Sequence, residues 1–270
     1  ATSVIVAMGS VCETIKETID DLNKEGYQVG LIEVHLYRPF SSKYFLNQLP
    51  KTVKKIAVLD RTKESGSREP LYLDVCNVLK NRKILVVGGR YGLSSKDTAP
   101  SQIKAVYDML SNELKDDFTI GIDDDVTNLS LKVEEELKIS DSDELLIYGY
   151  GSDGMISASK SIMRLVGDNT KHYVQGYFQY DSKKSGGMTI SHLRFKKEPI
   201  RSTYYVNNPK TVVVSKDTYL ETINPIVNIQ KNGTFILNTS KTASELNTFI
   251  PSEIKKIIHE RNIKFYTIDA

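Results

Sequence analysis

Short β-branched apolar runs alternate with stretches in which apolar residues recur every three or four positions, and this alternation persists over most of the chain. Val4-Ile5-Val6-Ala7-Met8 is the first run; it stops at Gly9-Ser10, and Val11, Ile15, Ile19 and Leu22 then follow at helical spacing until Gly26. A strand, a tight turn and an amphipathic helix are predicted. Residues 29–36 predict a second strand ended by Arg38-Pro39, and Ser41-Ser42 can cap a short helix through Leu49. Ile56-Ala57-Val58-Leu59 predicts a third strand ending at Asp60, with a polar loop over 61–69 and a helix carrying Leu71, Val75, Val78 and Leu79. Ile84-Leu85-Val86-Val87 predicts a fourth; Gly88-Gly89-Arg90-Tyr91-Gly92-Leu93 is expected to turn the chain before a helix from Ser101 to about Leu114.

Residues 121–141 break this pattern. Asp123-Asp124-Asp125 and Glu134-Glu135-Glu136 predict a linker, with a solvated acidic loop and helix inside one domain as the alternative. Alternation resumes with Leu145-Leu146-Ile147-Tyr148, a glycine-rich turn, a helix over 155–166 and a strand over 172–180. Thr211-Val212-Val213-Val214 and Phe235-Ile236-Leu237 add strands, 253–261 a helix, and 264–270 a final strand. The prediction is an α/β protein of two consecutive domains, 1–120 and 142–270, each a mostly parallel sheet flanked by helices. A chain that begins and ends at strands is expected to be part of a longer polypeptide, its second domain incomplete at the C-terminus.

Charge and cysteine content narrow the function. With 36 Lys+Arg against 34 Asp+Glu, the formal charge of +2 gives no footprint for nucleic acid or an acidic membrane surface. No apolar run approaches the roughly 18 residues that span a bilayer, and no signal-type core opens the chain. Cys12 and Cys76 are too few for a disulfide framework or an iron–sulfur cluster, and they fit a reducing compartment such as the cytoplasm.

The strongest local motif is Gly149-Tyr150-Gly151-Ser152-Asp153-Gly154, a G-x-G-x-x-G between a strand and a helix. Glycines there permit close approach of a phosphate to the backbone, and the helix start favours its charge. The alternative is that the glycines pack helix on strand. Asp153 adds an anion at the turn and can cap the helix. Asp181 stands where a ribose-binding acid is expected, but Lys183-Lys184 beside it favour a phosphorylated ribose, leaving NADP and coenzyme A as candidates and a solvated turn as the plain reading. His192 has no nucleophile elbow or acidic orienter and is expected to be structural. The four histidines lack metal spacing. Arg38, Arg61 and Arg90 follow predicted strands in the first half, where docking or loop anchoring is expected of them.

These segments also carry a resemblance. Met8-Gly9-Ser10, Leu36-Tyr37-Arg38-Pro39-Phe40, Ala57-Val58-Leu59-Asp60-Arg61-Thr62-Lys63-Glu64, Gly88-Gly89-Arg90-Tyr91-Gly92-Leu93, the glycine turn, Gln175-Gly176-Tyr177-Phe178, the run from Tyr180 to Gly187, and Ser191-His192-Leu193-Arg194-Phe195 through Thr203 together resemble pyruvate:ferredoxin (flavodoxin) oxidoreductase across essentially the whole chain. The resemblance is to the middle of that enzyme: a domain similar to the transketolase C-terminal domain, then most of the gamma-type domain. It implies oxidative decarboxylation of pyruvate to acetyl-coenzyme A and CO2, with electrons passed to ferredoxin or flavodoxin. It further implies thiamine diphosphate, Mg2+ and [4Fe-4S] clusters in parts of the enzyme outside this segment, and a homodimer when complete. A cytoplasmic or hydrogenosome-like location follows from the same likeness. The chain has no C-x-x-C-x-x-C run and no Gly-Asp-Gly thiamine signature, so it is expected to be inactive alone. Coenzyme A handling by the gamma-type domain carries over to Gly151, Ser152, Gly154, Lys160, Lys183, Lys184 and Arg201. Met155-Ile156-Ser157-Ala158-Ser159-Lys160 departs from the family's Thr-Val-Gly-Ala-Asn-Lys-like run, keeping only the alanine and the lysine. A free-standing Rossmann-type NADP enzyme, or a structural module like those in sulfite reductase subunits, are the alternatives.

Overall fold

A computed structural model describes residues 1–123, 125–180 and 187–270, which form two compact units. The first contains Ala1–Ile139 and Arg201–Tyr204. Its elements are β1 (Ser3–Ala7), α1 (Val11–Lys24), β2 (Val29–Glu33), α2 (Ser42–Gln48), β3 (Lys55–Asp60), α3 (Pro70–Leu79), β4 (Leu85–Arg90), α4 (Pro100–Ser111) and β5 (Phe118–Thr119). The strands form a parallel sheet in the order β2-β1-β3-β4-β5. Because successive side chains point to opposite faces, each apolar strand feeds two cores. Ile5, Ala57, Leu59 and Val87 pack with Ile15, Leu22, Ile103, Tyr107 and Phe118, while Val4, Val6, Ile56 and Val58 pack with Phe45, Leu71 and Val75.

Two features differ from the sequence reading. β4 does not turn at Gly88-Gly89 but continues through both to Arg90. A Cβ on Gly89 would lie 2.1 Å from Cζ of Phe118, its cross-strand neighbour, so a residue without a side chain is needed beneath that ring. The acidic stretch expected to be a linker over 121–141 belongs to the first unit as far as Ile139. Leu131 N–H donates to the Thr119 carbonyl at 2.9 Å, and the Ser101 hydroxyl donates to Glu136 at 3.0 Å while accepting from Leu137 N–H at 2.9 Å. Those bonds fasten the segment along β5 and the start of α4.

The second unit contains Ser140–Ile200 and Tyr205–Ala270. Its elements are β6 (Asp143–Tyr150), α5 (Met155–Asn169), β7 (Tyr173–Tyr180), β8 (Met188–Lys196), β9 (Thr211–Val214), β10 (Thr234–Asn238), α6 (Ala243–Phe249), α7 (Ser252–Glu260) and β11 (Lys264–Ile268). The order is β11-β10-β9-β6-β8-β7. β6, β9, β10 and β11 are parallel, and β8 runs antiparallel between β6 and β7. Leu146, Val212, Val214, Phe235 and Leu237 form its core with Leu246, Ile250 and Ile254.

Candidate functional site

In the second unit the chain leaves β6, crosses through α5 to β7 and β8 on one side, and later places β9 on the other side of β6. The strand order therefore switches between β6 and β9, and in open α/β sheets the crevice beyond the carboxyl ends at such a point is where ligands bind. Gly149-Tyr150-Gly151-Ser152-Asp153-Gly154 lies at the end of β6, and Ser215-Lys216-Asp217 at the end of β9.

The turn is shaped by backbone conformations that favour glycine: Gly154 has φ 83° and begins α5, and Ser152 adopts φ 77°. Gly151 N–H donates to the Gly187 carbonyl at 2.9 Å. Gly149 has a different reason to be glycine, since a Cβ there would sit 2.7 Å from Thr189 Oγ1 and 2.8 Å from Met155 Cβ. Asp153 is the centre of the turn. Its carboxylate accepts from Tyr150 N–H at 2.6 Å, from Met155 N–H at 2.9 Å and from the Ser215 hydroxyl at 2.8 Å. The helix start that could attract a phosphate thus already holds an anion from the chain, a cap of the kind open helix ends require. The pyrophosphate reading of the turn does not fit these bonds.

Aromatic and cationic groups stand near this turn and on the adjoining helix. Tyr150 is partly exposed, with the Lys216 ammonium 4.5 Å from its ring centroid. Lys160, one turn into α5, stands 5.6 Å from the Phe178 ring. The Tyr219 hydroxyl donates to the Gly149 carbonyl at 3.3 Å. Asp217, despite the upward pull of burial, is held below the usual carboxylate range by bonds from Lys241 at 2.5 Å and Thr239 at 2.7 Å. Ser215, Lys216 and Tyr219 were not apparent from the sequence, where the signal was only a polar triplet following Thr211-Val212-Val213-Val214. Of the expected site residues, Gly151, Ser152 and Gly154 come together, with Lys160 on the adjoining helix. Lys183 and Lys184, with Asp181, lie outside the described residues. Arg201 belongs to the first unit, where it pairs with Asp20 at 3.1 Å and Glu13 at 4.0 Å.

The crossover also bears on the dinucleotide-binding alternative. In a Rossmann unit the motif links neighbouring parallel strands. Here β8 separates β6 from β7, and Gly149 accommodates Thr189 of that intervening strand. The connection that follows the glycine turn is therefore not that of a Rossmann unit.

His192, in β8, is buried and structural in its contacts. Its Nδ1 accepts from Val206 N–H at 3.1 Å, its ring stacks on Tyr205 with centroids 4.7 Å apart, and Nε2 lies 3.4 Å from Gln179 Oε1. Burial, aided by the Arg194 charge, pushes its pKa down to about 4. A histidine neutral in the fold but protonated in the unfolded chain stabilises fully above the unfolded pKa of about 6.5, and loses that contribution as pH falls toward its folded value. The difference corresponds to about 3 kcal/mol. Urea unfolding should show this decline on acidification, and His192→Asn should flatten it; an unchanged acid limb in the variant would contradict the assignment.

The arginines of the first unit act as anchors. Arg90 pairs with buried Glu69 at 2.5 Å and with Asp117, and Arg38 binds Asp74 at 2.7 Å with its guanidinium 3.8 Å from the Tyr37 ring centroid. Asp60 accepts from Leu71 and Tyr72 N–H groups at 3.1 Å each, capping α3 across the loop. A cavity of about 740 Å³ also lies in this unit, against α4 and lined by Lys104, Asp108, Lys115 and Glu134; its mixed charges and lack of a nucleophile–base pair give it no evident chemistry.

Comparison with known proteins adds the following. Residues 1–103 match the family model for pyruvate:ferredoxin oxidoreductase core domain II, and residues 144–270 that for pyruvate ferredoxin/flavodoxin oxidoreductase. The chain is 49% identical over 276 residues to the pyruvate:ferredoxin oxidoreductase of Moorella thermoacetica, covering 100% of this chain and 24% of the relative. It is 47% identical over 277 residues to the pyruvate-flavodoxin oxidoreductase of Klebsiella pneumoniae, covering 100% and 24%. The pyruvate dehydrogenase (NADP+) of Cryptosporidium parvum is 46% identical over 279 residues, covering 99% and 14%. The chain thus spans about a quarter or less of the length of these relatives.

Proposed function

Because this chain belongs to the pyruvate:ferredoxin/flavodoxin oxidoreductase family, we propose that it is the central part of an enzyme that oxidatively decarboxylates pyruvate with coenzyme A, giving acetyl-coenzyme A and CO2, and reduces ferredoxin or flavodoxin. The observation that carries this reading is the succession of the two family matches, core domain II followed by the oxidoreductase region, in one chain. The first unit serves as a docking scaffold for other domains of that enzyme. Thiamine diphosphate, Mg2+ and [4Fe-4S] clusters would be held by the remainder of the polypeptide, since two cysteines cannot hold a four-thiolate cluster. The complete enzyme is a homodimer in a reducing compartment such as the cytoplasm.

Within it, the second unit handles coenzyme A at the crevice between β6 and β9. The exposed Tyr150 ring offers a stacking surface and Lys216 beside it offers charge to the 3′-phosphate; Lys160, Lys183 and Lys184 are assigned to the same phosphate, the latter two lying outside the described residues. Asp153 keeps the pyrophosphate away from the helix start. Calorimetric titration of the chain tests the assignment. Coenzyme A is expected to bind more tightly than its dephospho form, with Lys184→Ala and Lys216→Ala each weakening coenzyme A about tenfold and leaving the dephospho form unchanged. Equal binding of the two ligands would remove the phosphate assignment. The family activity is tested separately: the longer polypeptide carrying this chain should reduce ferredoxin or flavodoxin only when given both pyruvate and coenzyme A, and the 270-residue chain should not turn over.

A further inference from the structure

The first unit is completed by residues from far along the chain. Its sheet and helices come from Ala1–Ile139, yet Arg201–Tyr204 belong to it as well, while the chain up to Ile200 and from Tyr205 onward belongs to the second unit. The short segment lies along α1. Arg201 pairs with Asp20 at 3.1 Å and stands 4.0 Å from Glu13, and the Ser202 hydroxyl donates to the Glu17 carboxylate at 2.8 Å. Thr203 Oγ1 lies 2.8 Å from Thr14 Oγ1 and donates to the Ser10 carbonyl at 2.9 Å. As the segment ascends from 201 to 203, its partners descend from 20 through 17 and 14 to 10, positions three or four apart that share one face of the helix. Ser202 and Tyr204 are buried by this contact, whereas Arg201 and Thr203 stay exposed.

We infer that residues 197–204 are a strap that opens and closes on α1 while both sheets stay folded, and that the carboxylates of Glu13, Glu17 and Asp20 select its Arg-Ser-Thr sequence. The ends of the strap are fixed. β8 finishes at Lys196, which pairs with Asp141 at 2.6 Å; on the far side the Tyr205 carbonyl accepts from Arg194 at 3.0 Å and Val206 N–H donates to His192 at 3.1 Å. The residues between form no helix or strand and include Pro199, which has no N–H to give to a ladder. Each bond to α1 named above is made by a strap side chain, so it can be exchanged for water without breaking a strand. The two arms of the contact differ in strength. Arg201 is 51% exposed and Asp20 64%, so their attraction is screened by salt and small. The buried Ser202 hydroxyl on a carboxylate is charge-assisted and stronger. Closure therefore rests on Ser202, and Arg201 makes it sensitive to ionic strength.

Limited trypsin digestion of the 270-residue chain tests this, with peptides identified by mass spectrometry and rates normalised to an unstructured reporter peptide. Where opening is fast relative to cleavage, the rate after Arg201 reports the open population. It should rise roughly two- to fivefold between about 0.05 M and about 1 M salt. Ser202→Ala should raise it roughly tenfold, and Asp20→Asn roughly threefold at low salt while removing most of the salt response. Cleavage after Lys55, in β3 of the same unit, should stay unchanged in each variant. In a Cys76→Ser background, Thr14→Cys with Thr203→Cys should form a disulfide that suppresses cleavage after Arg201 until reductant is added, circular dichroism verifying the fold. Cleavage after Arg201 that ignores salt or Ser202→Ala would overturn the inference, as would a folded double-cysteine variant that forms no disulfide. So would a rise matched by cleavage after Lys55, which would mean that the strap leaves α1 only when the whole unit unfolds.

Discussion

Glu144→Leu is expected to destabilise the second unit by about 3–5 kcal/mol, and adding Arg194→Met to recover most of that loss. Glu144 on β6 and Arg194 on β8 stand opposite each other in the antiparallel register, with Arg194 Nε donating to Glu144 Oε1 at 2.7 Å. Their side chains are 1% and 3% exposed. Removing the carboxylate takes from the buried guanidinium the ion pair with Glu144, and breaking one side of a buried pair is costly. The pair is also imperfect. Glu144 Oε2 is buried without a hydrogen-bond partner, so two well-packed apolar side chains would remove a desolvation penalty along with the attraction. Recovery will be incomplete, because Arg194 also donates to the Tyr205 carbonyl at 3.0 Å and to Gln175 at 3.3 Å, and both acceptors lose that bond. Hydrogen exchange at β6 and β8 amides under increasing urea reads the effect in this unit separately from the first. If the double variant is as destabilised as Glu144→Leu alone, charge is not what the site requires.

That pair marks where the sequence stopped being informative. Parallel strands buried on both faces are continuous apolar runs, so β1, β3, β9 and β10 stood out, and the helical spacing of Val11, Ile15, Ile19 and Leu22 located α1. β8 mixes Thr189, Ser191, His192 and Arg194 with its apolar residues, because charges and hydroxyls that find partners inside the sheet can be buried there. Its antiparallel insertion between β6 and β7 had no local sign. The acidic residues near 134–136 read as a linker because composition reports charge, whereas the bonds of Ser101 with Glu136 and Leu137 that fasten the segment join positions about 35 residues apart. The candidate site divided the same way. The glycine turn is a local motif and was visible. Its pairing with Ser215 and Lys216 depends on β9 lying beside β6, and the role of Asp153 depends on which N–H groups the fold leaves open.

Gly89 is the position where a local signal pointed to the wrong structure, and it carries the second large expected effect. Gly88-Gly89 looked like a turn because glycine is common where the chain reverses. In the structure both residues lie in β4, and each is a glycine because of what presses on it from its own face of the sheet. A Cβ at Gly89 would lie 2.1, 2.3 and 2.6 Å from atoms of the Phe118 ring, which is fully buried among Ile103, Tyr107 and Leu110. Those neighbours leave the ring no room to retreat, so Gly89→Ala should cost about 3 kcal/mol or more, at or above the upper end of the usual range for overpacking. At Gly88 the nearest atoms belong to Arg68 Nη2 at 2.7 Å and the Tyr72 ring at 2.9 Å, on partly exposed side chains that can swing aside. Gly88→Ala should therefore be milder, by about 1–2 kcal/mol. A double-mutant cycle separates steric conflict from general intolerance of β4. Phe118→Ala alone should cost about 3–5 kcal/mol for the cavity it opens. Combined with Gly89→Ala it should cost little more, since the new methyl group occupies space the ring has vacated. Strict additivity of the two costs in urea unfolding would show that Gly89 is required for some reason other than the ring of Phe118.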